Sequence, residues 1–234
     1  MSRKTMPLRV DHLADLPAEE RECLFWQLGA VDRSRLDVDE RATEKETWTS
    51  TVLREWGSCG RVAVIDGQTA GYAVYAPPPW LPGASALPTS PSSPDAVLLA
   101  TVWVDPAHRG GGIGRLLVQG VARDLVERGH GALEAYGDTR GRTHGCVLPA
   151  EFLGAVGFGT QRPHPTTPRL RMELRSALSW KDEVEQALDR FWGVVRPVSA
   201  KAARPIGSVR TASGGGVPTR PSRPSYLSRG ARST

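Results

Sequence analysis

The chain has no apolar run long enough to cross a membrane and no apolar stretch near Met1 of the kind that directs export, so a cytoplasmic protein is expected. Cysteine is scarce. Cys23, Cys59 and Cys146 form neither an even framework nor a Cys-x-x-Cys, which excludes a disulfide scaffold and suits a reducing compartment. His144, Cys146 and His164 are metal ligands by type, but their spacing fits no zinc pattern and a fourth ligand is missing, so no metal is expected. Acidic residues are absent beyond Asp189: the segment after Gly193 carries eight Lys/Arg and no Asp or Glu, while the residues before it hold 22 Lys/Arg against 25 acids. The net charge of +5 is therefore a property of the C-terminal segment, and the rest of the chain is slightly acidic. With 39% hydrophobic and 24% charged residues, the 234-residue chain suits one soluble domain with an appendage.

The most informative stretch runs from Thr101 to Val118. An apolar, β-branched run, Ala96 to Val104, reads as a buried strand, and from Ile113 the apolar residues Leu116, Leu117, Val121, Leu125 and Val126 recur at helical spacing. Four glycines, Gly110, Gly111, Gly112 and Gly114, join the two, with Arg109 and Arg115 on either side. The first N–H groups of a helix lack partners and carry partial positive charge, so glycines that remove Cβ bulk let a pyrophosphate lie against them. Two familiar phosphate sites are excluded by what is missing. No Lys-Ser or Lys-Thr follows the glycines, as a P-loop needs, and a Gly-x-Gly-x-x-Gly frame starting at Gly110 or Gly112 ends on Arg115 or Leu117.

What is left, Arg109-x-x-Gly112-x-Gly114 preceded by Val104-Asp105-Pro106, resembles the acyl-CoA signature of the GNAT superfamily of N-acetyltransferases. The order of elements agrees with that resemblance. A strand over 7–13, a helix from Pro17 to Gly29, a helix from Glu40 to Trp56 and a hairpin of strands around Asp66-Gly67 come first. After the glycine strand and its helix follow a strand over Ala132 to Tyr136, a short helix from Pro149 to Val156 and a last strand over Thr166 to Leu174. The expected fold is mixed α/β: a central, mostly antiparallel GNAT-like sheet flanked by helices, with a C-terminal helix and a disordered tail. The expected divisions are 1–178 for the acetyltransferase domain, 179–193 for an appended helix capped by Ser179, and 194–234 for a basic tail rich in Pro, Gly, Ser and Arg. Residues 76–95, with seven prolines, form a long irregular loop that is either functional or disordered, and Trp80 within it could act as a substrate lid.

The resemblance implies acetyl-CoA as acyl donor. Backbone groups from Arg109 through Gly110, Gly111, Gly112, Ile113 and Gly114 to Arg115 would hold the pyrophosphate, and those of Val102 and Val104 the pantetheine arm. It also implies a proton-transfer half, and there the sequence departs from the family. Leu153 stands four residues before Gly157 in the place of the tyrosine that many members use as general acid. Cys146 replaces a common asparagine, and Val97-Leu98-Leu99 lacks the glutamate that some relatives use as base. The candidates left for proton transfer are Tyr136, Glu134 and Cys146, with Asp95 as a possible anchor for a cationic amine. The function expected is transfer of an acetyl group to an amine in a ternary complex. The rival readings are a degenerate acyl-CoA sensor and a nucleic-acid-associated protein acting through the basic tail.

Overall fold

The structure is a computed structural model that describes residues 3–141 and 145–174. Strands β1 (Arg3–Pro7), β2 (Gly60–Ile65), β3 (Gln68–Ala76), β4 (Ala96–Val104), β5 (Ala132–Asp138), β6 (Leu148–Pro149), β7 (Gly159–Arg162) and β8 (Arg169–Glu173) belong to one sheet. Its order is β1-β2-β3-β4-β5-β8-β7, with β6 beside β5. All neighbouring pairs are antiparallel except β4 with β5 and β5 with β6. The helices are α1 (Ala18–Glu22), α2 (Ala30–Arg35), α3 (Val38–Trp56), α4 (Ile113–Glu127) and α5 (Ala150–Ala155). The expected mixed, mostly antiparallel sheet flanked by helices is the architecture found.

Two apolar layers cover the sheet. On one face Ile113, Leu117, Val118, Val121 and Leu125 of α4 and Leu153 of α5 pack on Ala73, Tyr75, Val97, Leu99, Leu133 and Ala135. On the other, Trp48 and Val52 of α3 and Trp26 pack on Val62, Tyr72, Val74, Leu98, Ala100 and Tyr136. Covered on both sides, the first half of β4 is buried from Ala96 to Ala100, which is why it reads as a continuous apolar run rather than an alternating one. The β2–β3 hairpin turns through Asp66 and Gly67, both at positive φ, and α3 ends at Gly57 in the left-handed conformation.

Several sequence expectations are corrected. The first strand lies over Arg3–Pro7 rather than 7–13, because Val10–Leu13 winds into a single 3-10 turn that buries Leu13. The helix expected from Pro17 to Gly29 is broken. It stops at Glu22, Cys23 is extended, and a new helix begins at Ala30. The interruption is tertiary: a Cβ on Gly83 would lie 1.8 Å from the Phe25 carbonyl oxygen, so the proline-rich segment presses on this backbone. That segment is no open loop either. It holds two 3-10 turns, buries Leu81, Ala84 and Thr89, and accepts a hydrogen bond from the Trp48 indole N–H on the Trp80 carbonyl at 2.8 Å. Trp80 packs half-buried against the helical layer. The helix expected over 179–193, the basic tail over 194–234 and His144 lie outside the described residues. Among those described, no helix is long and apolar enough to cross a membrane.

Candidate active site

The site begins where the sheet comes apart. β4 and β5 run parallel and pair at only three positions, Ala96↔Ala132, Val97↔Leu133 and Leu98↔Glu134. Beyond them β5, with β8 along its other edge throughout, takes up β6 at Gly137 and Asp138, while β4 stays with β3, with a bulge at Ala100 between Leu99 and Thr101. Asp105 N–H donates to Ala70 O on β3 at 3.0 Å, which fixes the phase of the far half of β4. Backbone groups alternate sides along a strand, so those of Thr101 and Trp103 face β3, and the N–H and C=O groups of Val102 and Val104 open into the gap. The gap therefore has a polar edge made of main chain.

That edge leads directly into the glycine turn. Asp105 accepts from the Ala107 N–H at 2.8 Å and holds a short 3-10 turn over Pro106–His108. The chain then passes through Gly110 at φ 75° and Gly112 at φ 81°, conformations that L side chains rarely adopt, and enters α4. Leu116 N–H is the first to find a helical acceptor, Gly112 O at 3.0 Å, so the N–H groups of Ile113, Gly114 and Arg115 are the helix's free first-turn donors. Gly114 serves a different need. A Cβ there would meet the Phe152 ring at 2.9 Å, so its absence lets α4 sit close to α5. Arg109 Nε donates to Val104 O at 3.2 Å and Arg115 Nη2 to Ala155 O at 2.6 Å, stitching the turn to β4 and α5. Arg3, from β1, donates to Gly111 O at 2.9 Å and brings a third guanidinium that no local motif announced.

A family model described as acetyltransferase (GNAT) family matches residues 18–143, more than half of the chain. The chain belongs to the GNAT acetyltransferase family. No curated protein sequence matches it. Among solved structures, an aminoglycoside acetyltransferase in complex with coenzyme A is similar at 15% identity and a TM-score of 0.51, covering 76% of this chain and 98% of that one. The acetyltransferase yncA from Salmonella typhimurium with acetyl-CoA is similar at 16% identity and a TM-score of 0.50, covering 74% and 95%. These likenesses concern the fold.

In this GNAT chain the side chains of the other half of the site gather on the face covered by α1 and α3. Glu134 and Tyr136 share that face of β5, Glu134 in the last β4 pair and Tyr136 just past it. The Tyr136 ring stacks on Trp26, with centroids 6.1 Å apart, and the Trp26 indole N–H donates to Cys146 O at 2.7 Å. All three proposed proton-transfer residues thus reach one face. Their surroundings differ sharply. The Tyr136 hydroxyl is buried without a hydrogen-bond partner, the Ser90 side chain lying beside it but outside bonding geometry. Burial, the largest cause, raises its pKa, so the phenol holds its proton at neutral pH. Glu134 is fully buried with both oxygens engaged. It accepts from the Ser93 N–H at 3.0 Å and the Ser93 hydroxyl at 2.6 Å, and pairs with Arg169 at 3.3 Å and Arg171 at 3.5 Å. Cys146 is exposed, with its Sγ 3.1 Å from Cys23 Sγ.

Asp95 is held by Arg171 through two contacts, at 2.7 and 3.0 Å, so its carboxylate is not free for an amine. Leu153 is fully buried on the opposite face of the sheet, among the α4 side chains. A further assembly lay beyond sequence reasoning. Lys45 of α3 is buried with its ammonium on the carbonyls of Glu20 and Cys23 and near the Tyr72 hydroxyl, which donates to Glu20 Oε2 at 2.7 Å. Its members come from α1, α3 and β3, so no spacing in the chain could announce it.

Proposed function

We propose that this protein transfers an acetyl group from acetyl-CoA to an amine, both bound at once across the gap between β4 and β5. The observation that carries this reading is the continuous main-chain surface from Val102 and Val104 into the left-handed Gly110 and Gly112 and the free N–H groups of Ile113, Gly114 and Arg115. A pyrophosphate fits such donors because it needs several N–H groups and no intervening Cβ, and the three nearby guanidiniums add a favourable field. Nothing stands within 4 Å of where a Cβ on Gly110 or Gly112 would point. The strand edge suits the amide groups of a pantetheine arm, which can pair with main chain as another strand would.

Acetyl-CoA, when bound, supplies an acyl group activated as a thioester. The chain's own residues do the rest. A strand-edge N–H at Val102 is placed to donate to an oxygen that gains negative charge. Tyr136 is the residue proposed to return a proton to the departing thiolate, since burial keeps it protonated and its hydroxyl is otherwise unspent. Glu134, already saturated by Ser93, Arg169 and Arg171, acts as an anchor beside it rather than as a base. Cys146, whose own pKa is raised, stands as a second proton source should Tyr136 prove silent.

The test is turnover: release of free CoA thiol from acetyl-CoA in the presence of a broad panel of amines. Amine-dependent release is expected. Tight acetyl-CoA binding with no release for any amine would overturn catalysis in favour of a sensor, a reading that the buried Leu153 in place of a tyrosine would then explain.

A further inference from the structure

Cys23 and Cys146 are 123 residues apart in sequence, yet their sulfurs lie 3.1 Å apart. A disulfide needs about 2.05 Å, so closure requires a movement of roughly 1 Å. The approach is held by backbone as well as by the thiols. Lys45 Nζ donates to Cys23 O at 3.3 Å, and Trp26 Nε1 donates to Cys146 O at 2.7 Å. Cys23 follows the end of α1 in extended backbone, half-buried, and Cys146 is exposed, so a small oxidant has access. The acyl-transfer reading makes no use of Cys23.

We propose that Cys23 and Cys146 form a redox-active dithiol pair that a peroxide converts to an intramolecular disulfide, Cys23 attacking and Cys146 resolving. The Cys23 thiolate displaces hydroxide from the peroxide O–O bond and becomes a sulfenic acid. The Cys146 thiol then attacks that sulfur, the S–S bond forms, and the sulfenic oxygen leaves as water with the thiol proton. Overall the two sulfurs lose two electrons and the peroxide gains them. The surroundings assign these roles. The Cys146 hydrogen bond, the Phe25 N–H and the Lys45 ammonium together bring the Cys23 thiol down to about 6, against burial and the Glu20 carboxylate. Cys146 is pushed up by the same hydrogen bond and by partial desolvation of its sulfur, with Arg33 opposing. At neutral pH the pair is therefore one thiolate and one thiol, the arrangement the first step requires. Tyr72, also nearby, is held protonated by burial and by Glu20. The third cysteine, Cys59, is fully buried and pushed up to about 12, which makes it an internal control.

The bond would tie the segment after β5 to the chain after α1, across the Trp26 ring that lies on Tyr136. It would thus fix one wall of the acceptor face. The chemistry does not depend on the acyl-transfer reading and is tested without it. The full-length native chain is exposed to a small excess of hydrogen peroxide, unfolded in an alkylating agent, and weighed intact. The expected product is monomeric, lighter by two hydrogens, carries one alkyl label in place of three, and regains all three after a reductant, with peptide mapping placing the bond between Cys23 and Cys146. The oxidation rate should be nearly flat from pH 8 to 7 and fall about fivefold from pH 6 to 5, following the thiolate. In Cys146→Ser the oxidised Cys23 should persist as a sulfenic acid trapped by a 1,3-dione. Three labels after peroxide, a covalent dimer, or a bond that includes Cys59 would each overturn the proposal on the wild-type chain alone.

Discussion

The two halves of the proposed site are made of different material. The donor half, from Val102 to Arg115, is main chain: its donors are N–H groups, and its side chains matter mainly where they are missing or where they stitch the turn to β4 and α5. The acceptor half, around Tyr136, is side chains from α1, α3, β5, β8 and the segment after β5, held in register by Glu134 and Trp26. Main-chain chemistry tolerates substitution everywhere except at the few positions whose backbone needs glycine. Side-chain chemistry depends on each residue and on the buried partners that aim it. The first half should fail through geometry, the second through protonation and charge.

Gly112→Asp should do the most damage, taking acetyl-CoA affinity below detection by calorimetry, because a carboxylate replaces open space beside the helix donors at a φ of 81°. Gly112→Ala sharpens the point. It adds no charge and meets nothing within 4 Å, so it should cost about 1–2 kcal/mol of stability for the left-handed backbone and leave a measurable affinity. If Gly112→Ala abolishes binding as fully as Gly112→Asp, backbone shape and not charge governs the donor half.

Next in size is Glu134→Gln. It removes the carboxylate from the buried Arg169, while Arg171 keeps Asp95 and Glu173, and leaving one such buried charge uncompensated costs on the order of 3–5 kcal/mol, read as a lowered urea midpoint with unchanged m-value. A midpoint within error of wild type would mean that Arg169 finds another partner. Tyr136→Phe follows. It keeps the Trp26 stack and removes only the hydroxyl, so kcat should fall about 10²-fold with little change in KM. Stability should hold or rise slightly, since the lost hydroxyl is buried and unpaired. An unchanged kcat would move proton delivery to Cys146.

The smallest effect is expected at Asp95→Asn. Arg171 lowers the Asp95 pKa in the folded chain, so the carboxylate stabilises the fold above its unfolded value near 3.8, and that contribution is lost as pH falls through the folded pKa. The pair is exposed on the Asp95 side, so the variant should lose less than about 1 kcal/mol at neutral pH and converge with wild type in acid. A gap between the two that widens in acid would contradict this.

The same contrast explains what the amino-acid order revealed. The donor half is contiguous: strand, Val-x-Pro, glycines and helix follow one another within twenty residues, and local spacing suffices to find them. Both bounds of β4, the end of α3 and the start of α4 were legible for the same reason, through an apolar run, a left-handed Gly57 cap and a clean amphipathic period. The acceptor half was legible only as candidates. Nothing near Glu134 shows that Ser93 and Arg169 will close on it, and nothing near Cys23 shows that Cys146 will arrive. β7 escaped because all four of its residues are exposed and so carry no alternation, and β6 because it is two residues long. The broken first helix escaped because Glu20, Leu24 and Leu28 do keep helical spacing, while the break comes from Gly83 against Phe25, a contact across the fold.

The central claim is that the donor is held by main chain at the gap and the helix start. Amide chemical shifts of the isotope-labelled chain, followed as acetyl-CoA is added, report on those groups one by one. The account predicts the largest changes at Val102, Val104 and Gly110 through Arg115, saturating together with a single affinity. No perturbation at Ile113, Gly114 and Arg115 under saturating acetyl-CoA, or changes confined to other parts of the sheet, would contradict it.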